Sequence, residues 1–363
     1  MKRILFISKY LNRNGTEAFM MNVVRQMQGQ DLVFDFLLYS PDQSDYCQEV
    51  EQLGGTIWRV PSRRESFFGW YRSLRTFFRQ HASQYAAVHF CANSLSGMAP
   101  LFFAWRYGVP VRIVHAHNSS ARGWHNRLLH LLKRDFTRLI TTHHLACSER
   151  AARWFFGGHP AQVISNGIDV RAFAFDADVR LSVRQQMGID DRTFVLGFVG
   201  RLVEEKNPRF LLPLFRSLLP GLSCHAQLWI VGDGPLRQEL QSEAEVQGVA
   251  DSVRFLGVRT DVNRLMQAMD CLLMPSLFEG LPYVLIEAQC AGLPCVIAGT
   301  ITSDICLSSS VRRLPLSDPD LWRLALSQVS TQEADRSQGL GLVSRAGYDV
   351  RQSLFQLRQI YES

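Results

Sequence analysis

Short apolar runs alternate with longer stretches whose apolar positions recur at helical spacing, and this alternation passes through the chain twice. In the first pass the runs are Arg3–Ser8, Phe34–Tyr39, Thr56–Val60, Ala87–Cys91, Val111–His115, Leu145–Ser148 and Gln162–Ser165. Nearly continuous apolar runs of this length, separated by helix-length segments, predict parallel strands covered on both faces by crossover helices. The turn-forming stretch Ser165-Asn166-Gly167-Ile168-Asp169 then interrupts the pattern. It restarts with Phe194–Val199, Gln227–Val231, Val253–Leu256, Cys271–Met274 and Cys295–Ile297. The expected fold class is therefore α/β, with two doubly wound domains of 1–169 and 170–345. A deep cleft between them is the natural site for a ligand. A last helical pattern runs from Ala346 to Tyr361.

The length of 363 residues fits this division, since it exceeds what one core usually organises. Hydrophobic residues make up 47% and charged residues 20%, which supports a folded chain rather than a disordered one. The basic start Met1-Lys-Arg precedes an apolar run too short for a signal peptide and reads as a first strand. No apolar run reaches membrane-spanning length. Eight cysteines without a Cys-x-x-Cys pair favour buried thiols in a cytoplasmic protein over a disulfide framework or a zinc site.

The net charge of +6 matters less than where it sits. Arg63–Arg79 and Arg122–Arg138 mix basic residues with aromatic residues or leucines at roughly helical spacing. Such segments suit an anionic membrane surface, against the plainer reading of surface helices on a sheet. No recognition motif accompanies them, so nucleic acid is not an expected partner.

The candidate chemistry centres on Pro275–Pro294, where Glu279 and Glu287 flank Gly280-Leu281-Pro282 and a helix is expected to begin near Tyr283. One carboxylate then lies in the loop and one a turn into the helix. The free N–H groups of the helix start lie between them and favour an anion. Gly200-Arg201, with Lys206 shortly after, ends the first strand of the second domain and offers two cations. Gly15 opens the loop after the first strand, followed by a helix expected from Ala18 to Met27. His115 and His117 point to the same side at the end of another strand. They are candidate substrate contacts or structural histidines, and no third ligand makes them a metal site. Gly232-Asp-Gly234-Pro235 lacks the third glycine of a dinucleotide fingerprint. Asp176-Ala-Asp178 and Asp318-Pro-Asp320 read as loop acids.

Taken together, these motifs resemble the retaining glycosyltransferases of family 4, which have the GT-B fold of two Rossmann-like domains. The resemblance is carried by Gly15-Thr-Glu17, His115-Ala-His117, Cys147-Ser148-Glu149, Asn166–Asp169, Gly200-Arg201 with Lys206, Gly232–Pro235, Phe255-Leu-Gly257 and Phe278–Pro282 with Glu287. The texture of Cys147-Ser148 and Trp154–Gly157 is similar to enzymes of capsule, exopolysaccharide or O-antigen synthesis. The resemblance implies an acceptor-binding first domain, a donor-binding second one, and a terminal helix of about 346–363 that packs back on the first. Glu287 would hold the donor ribose and Glu279 the transferred sugar. Arg201 and Lys206 would neutralise the diphosphate, with Gly200 and the backbone at Gly280, Leu281, Pro282 and Gly15 beside it. Val258 would meet the base, and His117 the reacting sugar, with His115 as second choice.

A UDP-sugar donor, a lipid-linked saccharide acceptor, front-face transfer with retention, and no metal or other cofactor follow from the same resemblance. The place implied is cytoplasmic, peripheral to the inner face of the plasma membrane. Tyr283 and the single glycine of Asn14-Gly15 depart from the common pattern. The competing readings are a catalytically silent nucleotide-sugar binder and an enzyme of the same fold such as a phosphorylase or epimerase, for which no cofactor lysine motif is visible.

Overall fold

A computed structural model describes residues 1–12, 15–27, 29, 31–39, 45–63, 65–92, 95–117, 130, 134–165, 167–279, 281–331 and 335–363. The chain divides into two compact units, Met1–Gly167 with Val350–Ser363, and Ile168–Asp349.

The first unit contains β1 (Lys2–Ser8), β2 (Leu32–Leu38), β3 (Ile57–Arg59), β4 (Tyr85–Ala92), β5 (Val111–Ala116), β6 (His143–Ala146) and β7 (Gln162–Val163). They form one seven-stranded sheet in the order β3-β2-β1-β4-β5-β6-β7, and every recorded pairing is parallel. The strands are apolar on both faces because both faces are covered. The helix Phe67–His81 buries Trp70, Leu74, Phe77 and Phe78 on one side. On the other, the helix Gly15–Met27 and the terminal helix Val350–Glu362 share a core with Ile4, Phe6 and Ile113. Strand order reverses between β1 and β4, and the carboxyl ends at such a reversal open a crevice that no crossover helix fills.

The second unit repeats the plan with β8 (Phe194–Val199), β9 (Ala226–Val231), β10 (Val253–Gly257), β11 (Cys271–Met274), β12 (Cys295–Ala298) and β13 (Val311–Leu314). The order is β10-β9-β8-β11-β12-β13, again parallel throughout the recorded pairings. The reversal falls between β8 and β11. Glycines let the neighbouring carboxyl ends close up. Gly232 has φ +130°, and a Cβ there would collide with the Gly200 carbonyl, while one on Gly234 would meet Leu202.

The structure corrects several expected boundaries. The first helix starts at Gly15 rather than Ala18, so the expected glycine loop is the helix start itself. β13 was not anticipated, because Arg312 and Arg313 interrupt its apolar run. It pairs only with β12, at the sheet edge, where charge is tolerated. The Arg313 guanidinium donates to the carbonyls of Ile301 and Gly299. Asp176 and Asp318, read as loop acids, cap the N-termini of the helices Ala177–Gln186 and Pro319–Ser330.

Gly232→Ala should destabilise the second unit by about 3 kcal/mol, from backbone strain and the clash with Gly200. Chemical denaturation checks this, and an unchanged midpoint would show that the turn has room to relax.

Candidate functional site

In the second unit the crevice between β8 and β11 is lined by two loops tied together through their backbones. Leu277 N donates to Glu205 O at 2.9 Å, and Asn207 Nδ2 donates to Pro275 O at 3.2 Å. Asn207 reaches that carbonyl from a left-handed conformation with φ 50°. Thr300 Oγ1 donates to Ser276 O at 2.7 Å and fixes the second loop from the β12 side. Neither Asn207 nor Thr300 was singled out from sequence. Lys-Asn-Pro and Gly-Thr read as ordinary turn residues until the two loops are brought together.

This scaffold sets Glu279 against Lys206. The lysine Nζ lies 2.6 Å from each carboxylate oxygen, and Ser276 Oγ donates to Oε1 at 2.7 Å. The Glu279 side chain is 7% exposed and that of Lys206 28%, so the pair is poorly screened and its geometry is firmly held. Arg201 follows Gly200 on the same loop. Its side chain is exposed and makes no hydrogen bond or ion pair among the described residues. The second cation is thus open to solvent, whereas the first is already neutralised.

The helix Tyr283–Cys290 begins where expected. Its N-cap is Pro282, which supplies no side-chain hydrogen bond, so the first N–H groups are left for another acceptor. Pro282 is buried and Leu281 half-buried, while Gly280 lies outside the described residues. Glu287 sits one turn into the helix. Burial pushes its carboxyl up to about 7, and it has no ion-pair partner among the described residues. Val258 follows Gly257 at the carboxyl end of β10 and is 61% exposed. Lys206, Glu279, Gly200, Arg201, Leu281, Pro282, Glu287 and Val258 therefore all belong to loops or a helix start at the carboxyl edge of one sheet.

The first unit has its own candidate site at the β1/β4 reversal. Gly15 is exposed at the helix start. In the first helical turn, burial raises the pKa of Glu17, opposed by hydrogen bonds from its own backbone and Ser8. Phe19 on the next turn packs its ring edge-on to His115 at 5.1 Å and against His117 at 5.2 Å. The His115 and His117 rings lie 4.2 Å apart, on the same side as the alternation required. Neither His117 ring nitrogen has a hydrogen-bond partner among the described residues, and burial lowers its pKa to about 3, so the ring is neutral. Sequence reasoning missed His89 and Tyr361. The Tyr361 hydroxyl meets His89 Nδ1 at 2.7 Å, and His89 Nε2 meets His115 Nδ1 at 3.1 Å. A histidine inside the apolar run Ala87–Cys91 was the available signal.

Of the two basic segments, Phe67–His81 is a helix whose outer stripe is Phe68, Arg72, Arg75 and Arg79, all exposed, with Phe67 and Tyr71 beside it. Arg64 lies outside the described residues, as do Arg122, Arg127 and Lys133 of the second segment, where Phe136 and Leu139 are exposed. No helix among the described residues is long and apolar enough to cross a membrane.

Known proteins share both halves of this plan. The family profile described as glycosyl transferase 4-like domain matches residues 14–167, and that described as glycosyl transferases group 1 matches residues 193–309. The chain is 34% identical to EpsF of Bacillus subtilis, a protein assigned as a glycosyltransferase, over 99% of this chain and 96% of the relative. It is 30% identical to an Escherichia coli galactosyltransferase named for UDP-Gal and a GlcNAc-diphosphoundecaprenol acceptor, over 47% of this chain and 44% of that one. In fold it is similar to Anabaena HepE solved in complex with UDP, with a TM-score of 0.79, 17% identity and full coverage of both chains. The two parallel sheets form a GT-B fold, and the chain belongs to the family 4 glycosyltransferases.

Proposed function

We propose that this glycosyltransferase moves a sugar from a UDP-sugar, with retention of anomeric configuration and without a metal, onto a lipid-linked saccharide of a capsule, exopolysaccharide or O-antigen. The observation that carries the proposal is the Lys206–Glu279–Ser276 cluster beside an uncapped helix start, with Glu287 one turn further on. The names of the relatives supply the ligand classes. One acts with UDP-Gal on a diphosphoundecaprenol-linked sugar, and HepE was solved with UDP.

In this reading the second unit holds the donor. Glu287 accepts from the ribose hydroxyls, Val258 lies by the base, and the backbone at Gly200, Gly280, Leu281 and Pro282 lies along the diphosphate. As the bond to the anomeric carbon breaks, negative charge grows on the leaving diphosphate. Lys206, Arg201 and the helix dipole stabilise it in the place a metal ion takes in other enzymes. Glu279 then turns from the lysine to the sugar hydroxyls. The leaving phosphate accepts the acceptor's proton on the face it departs from, which retains configuration without a carboxylate nucleophile. The first unit takes the acceptor, with His117 as a neutral hydrogen-bonding group for the reacting sugar and Gly15 at the phosphate. The stripe Phe68, Arg72, Arg75 and Arg79 faces the anionic inner leaflet that carries the lipid-linked acceptor, with the enzyme peripheral on its cytoplasmic side.

Because Glu279 already occupies Lys206, an incoming diphosphate must displace it. Glu279→Gln should bind inorganic pyrophosphate about fivefold tighter, a gain of about 1 kcal/mol, by calorimetry at low salt. Weaker binding would mean that Glu279 helps hold the anion instead of competing with it.

Glu287→Ala should cut UDP release from UDP-galactose or UDP-glucose by about a hundredfold while leaving the melting temperature unchanged, and EDTA should not slow the wild type. Wild-type turnover in the variant would remove the ribose role, and loss of activity in EDTA the metal-free mechanism.

The wild type should sediment with phosphatidylglycerol vesicles at low salt. The triple change Arg72→Ala, Arg75→Ala, Arg79→Ala should weaken this by about a hundredfold, at about 1 kcal/mol per arginine. Equal sedimentation of both proteins would rule out this helix as the contact.

A further inference from the structure

The first unit contains a buried hydrogen-bonded chain that the proposed chemistry does not use. It runs from the terminal helix, through Tyr361, to His89 on β4 and His115 on β5. His89 and His115 are fully buried and Tyr361 is 1% exposed. Phe6 packs on His89 at 4.9 Å, Phe34 on Tyr361 at 5.9 Å and Phe19 on His115 at 5.1 Å, so these apolar rings wall off the chain. Polar groups are retained in such a setting only when their partners are fixed, and the proton order can be worked out.

If Tyr361 donates to His89 Nδ1, then His89 Nε2–H donates to His115 Nδ1, and His115 carries its proton on Nε2. The one unsatisfied donor among these three side chains is then His115 Nε2–H, which has no hydrogen-bond partner among the described residues. In the reverse order His115 Nδ1–H donates to His89 and His89 Nδ1–H donates to Tyr361. The tyrosine proton is then stranded in the core, and a bare lone pair is left on His115. Each order leaves one buried donor unmet, but the reverse order leaves the His115 lone pair bare as well, and an unmet buried polar atom costs about 1–3 kcal/mol, so the first order prevails. The backbone of Ile164 also favours a proton on His115, although it falls short of a hydrogen bond.

We infer that Tyr361 and His89 are positioning residues: they lock His115 in its Nε2–H tautomer, and His115, packed against the His117 ring, holds that ring in place for the reacting sugar. The inference rests on the proposed role of His117, but the tautomer order can be tested without it. His115 and His117 are in ring contact at 4.2 Å with no hydrogen bond between them, so the hold on His117 is one of packing. Phe19 closes the other side of His117 at 5.2 Å. The nearby acid is Glu17, on the first helix, and burial disfavours its charge. Nothing therefore draws a second proton onto the three imidazoles, all of which burial keeps neutral. The terminal helix would thereby reach the chemistry through one hydroxyl.

The test combines nitrogen-15 NMR of histidine-labelled full-length protein with donor turnover. The wild type should show His115 protonated at Nε2 and His89 at Nε2. In Tyr361→Phe both rings should become tautomer mixtures while the melting temperature and UDP binding are retained. Its kcat for UDP release from UDP-galactose or UDP-glucose should fall about tenfold at unchanged KM. His89→Gln should reproduce the kinetic loss. An unchanged His115 tautomer in Tyr361→Phe would overturn the relay. Tautomer mixing with full kcat would overturn the positioning role alone. Wild-type turnover in His117→Ala would overturn instead the placement of His117 at the sugar.

Discussion

A parallel sheet sends all its strands out on one edge, and where the strand order reverses no crossover helix covers that edge. The rest of this molecule follows from that constraint, met twice. At the β8/β11 reversal the emerging loops bring Lys206 to Glu279, and at the β1/β4 reversal the edge gathers Glu17, His115 and His117. Residues more than seventy positions apart become hydrogen-bond partners because their strands, adjacent or nearly so, end at the same edge. The glycines at 232 and 234 serve the same constraint, since side chains there would wedge the loops apart.

The two edges differ in how they treat charge. The second unit keeps an ionised pair, an exposed arginine and an uncapped helix start within a few residues of one another. The first unit buries its titratable groups in aromatic surroundings, where burial keeps a second proton off the imidazoles. Fixed positive charge in the second unit and neutral polar groups in the first is the division that the proposed reaction asks for. The leaving diphosphate is an anion, whereas the anomeric carbon becomes cationic and is poorly served by an imidazolium.

Much of this was legible in the sequence because the apolar runs and the punctuation agree. Phe194–Val199 and Cys271–Met274 read to the residue, since each is wholly apolar and bounded by turn formers. The start at Tyr283 was legible from Gly-Leu-Pro, and the pairing of His115 with His117 from alternation alone. β13 was not, because an edge strand may carry arginines that a buried one cannot. His89, Tyr361, Asn207 and Thr300 could not be found by spacing. His89 and Tyr361 are 272 residues apart, and only the packing of the terminal helix on the first unit's sheet makes them neighbours. A motif records residues that act from one loop and leaves out those that act across elements.

The Lys206–Glu279 pair shows what a sequence leaves out even where it names both residues. Taken from sequence, a lysine and a glutamate in one cleft are two independent contacts, one for phosphate and one for sugar. Taken from the structure, each is the other's partner. Breaking that pair costs more than breaking an exposed one, because Glu279 is almost buried and Ser276 holds it as well. In the proposed function the donor would therefore supply replacements for both ions together: a phosphate for the lysine and hydroxyls for the carboxylate. A fragment bearing only one of these leaves an unpaired charge behind. On the proposed function, the Lys206–Glu279 contact would thus favour a whole nucleotide sugar over its separate halves.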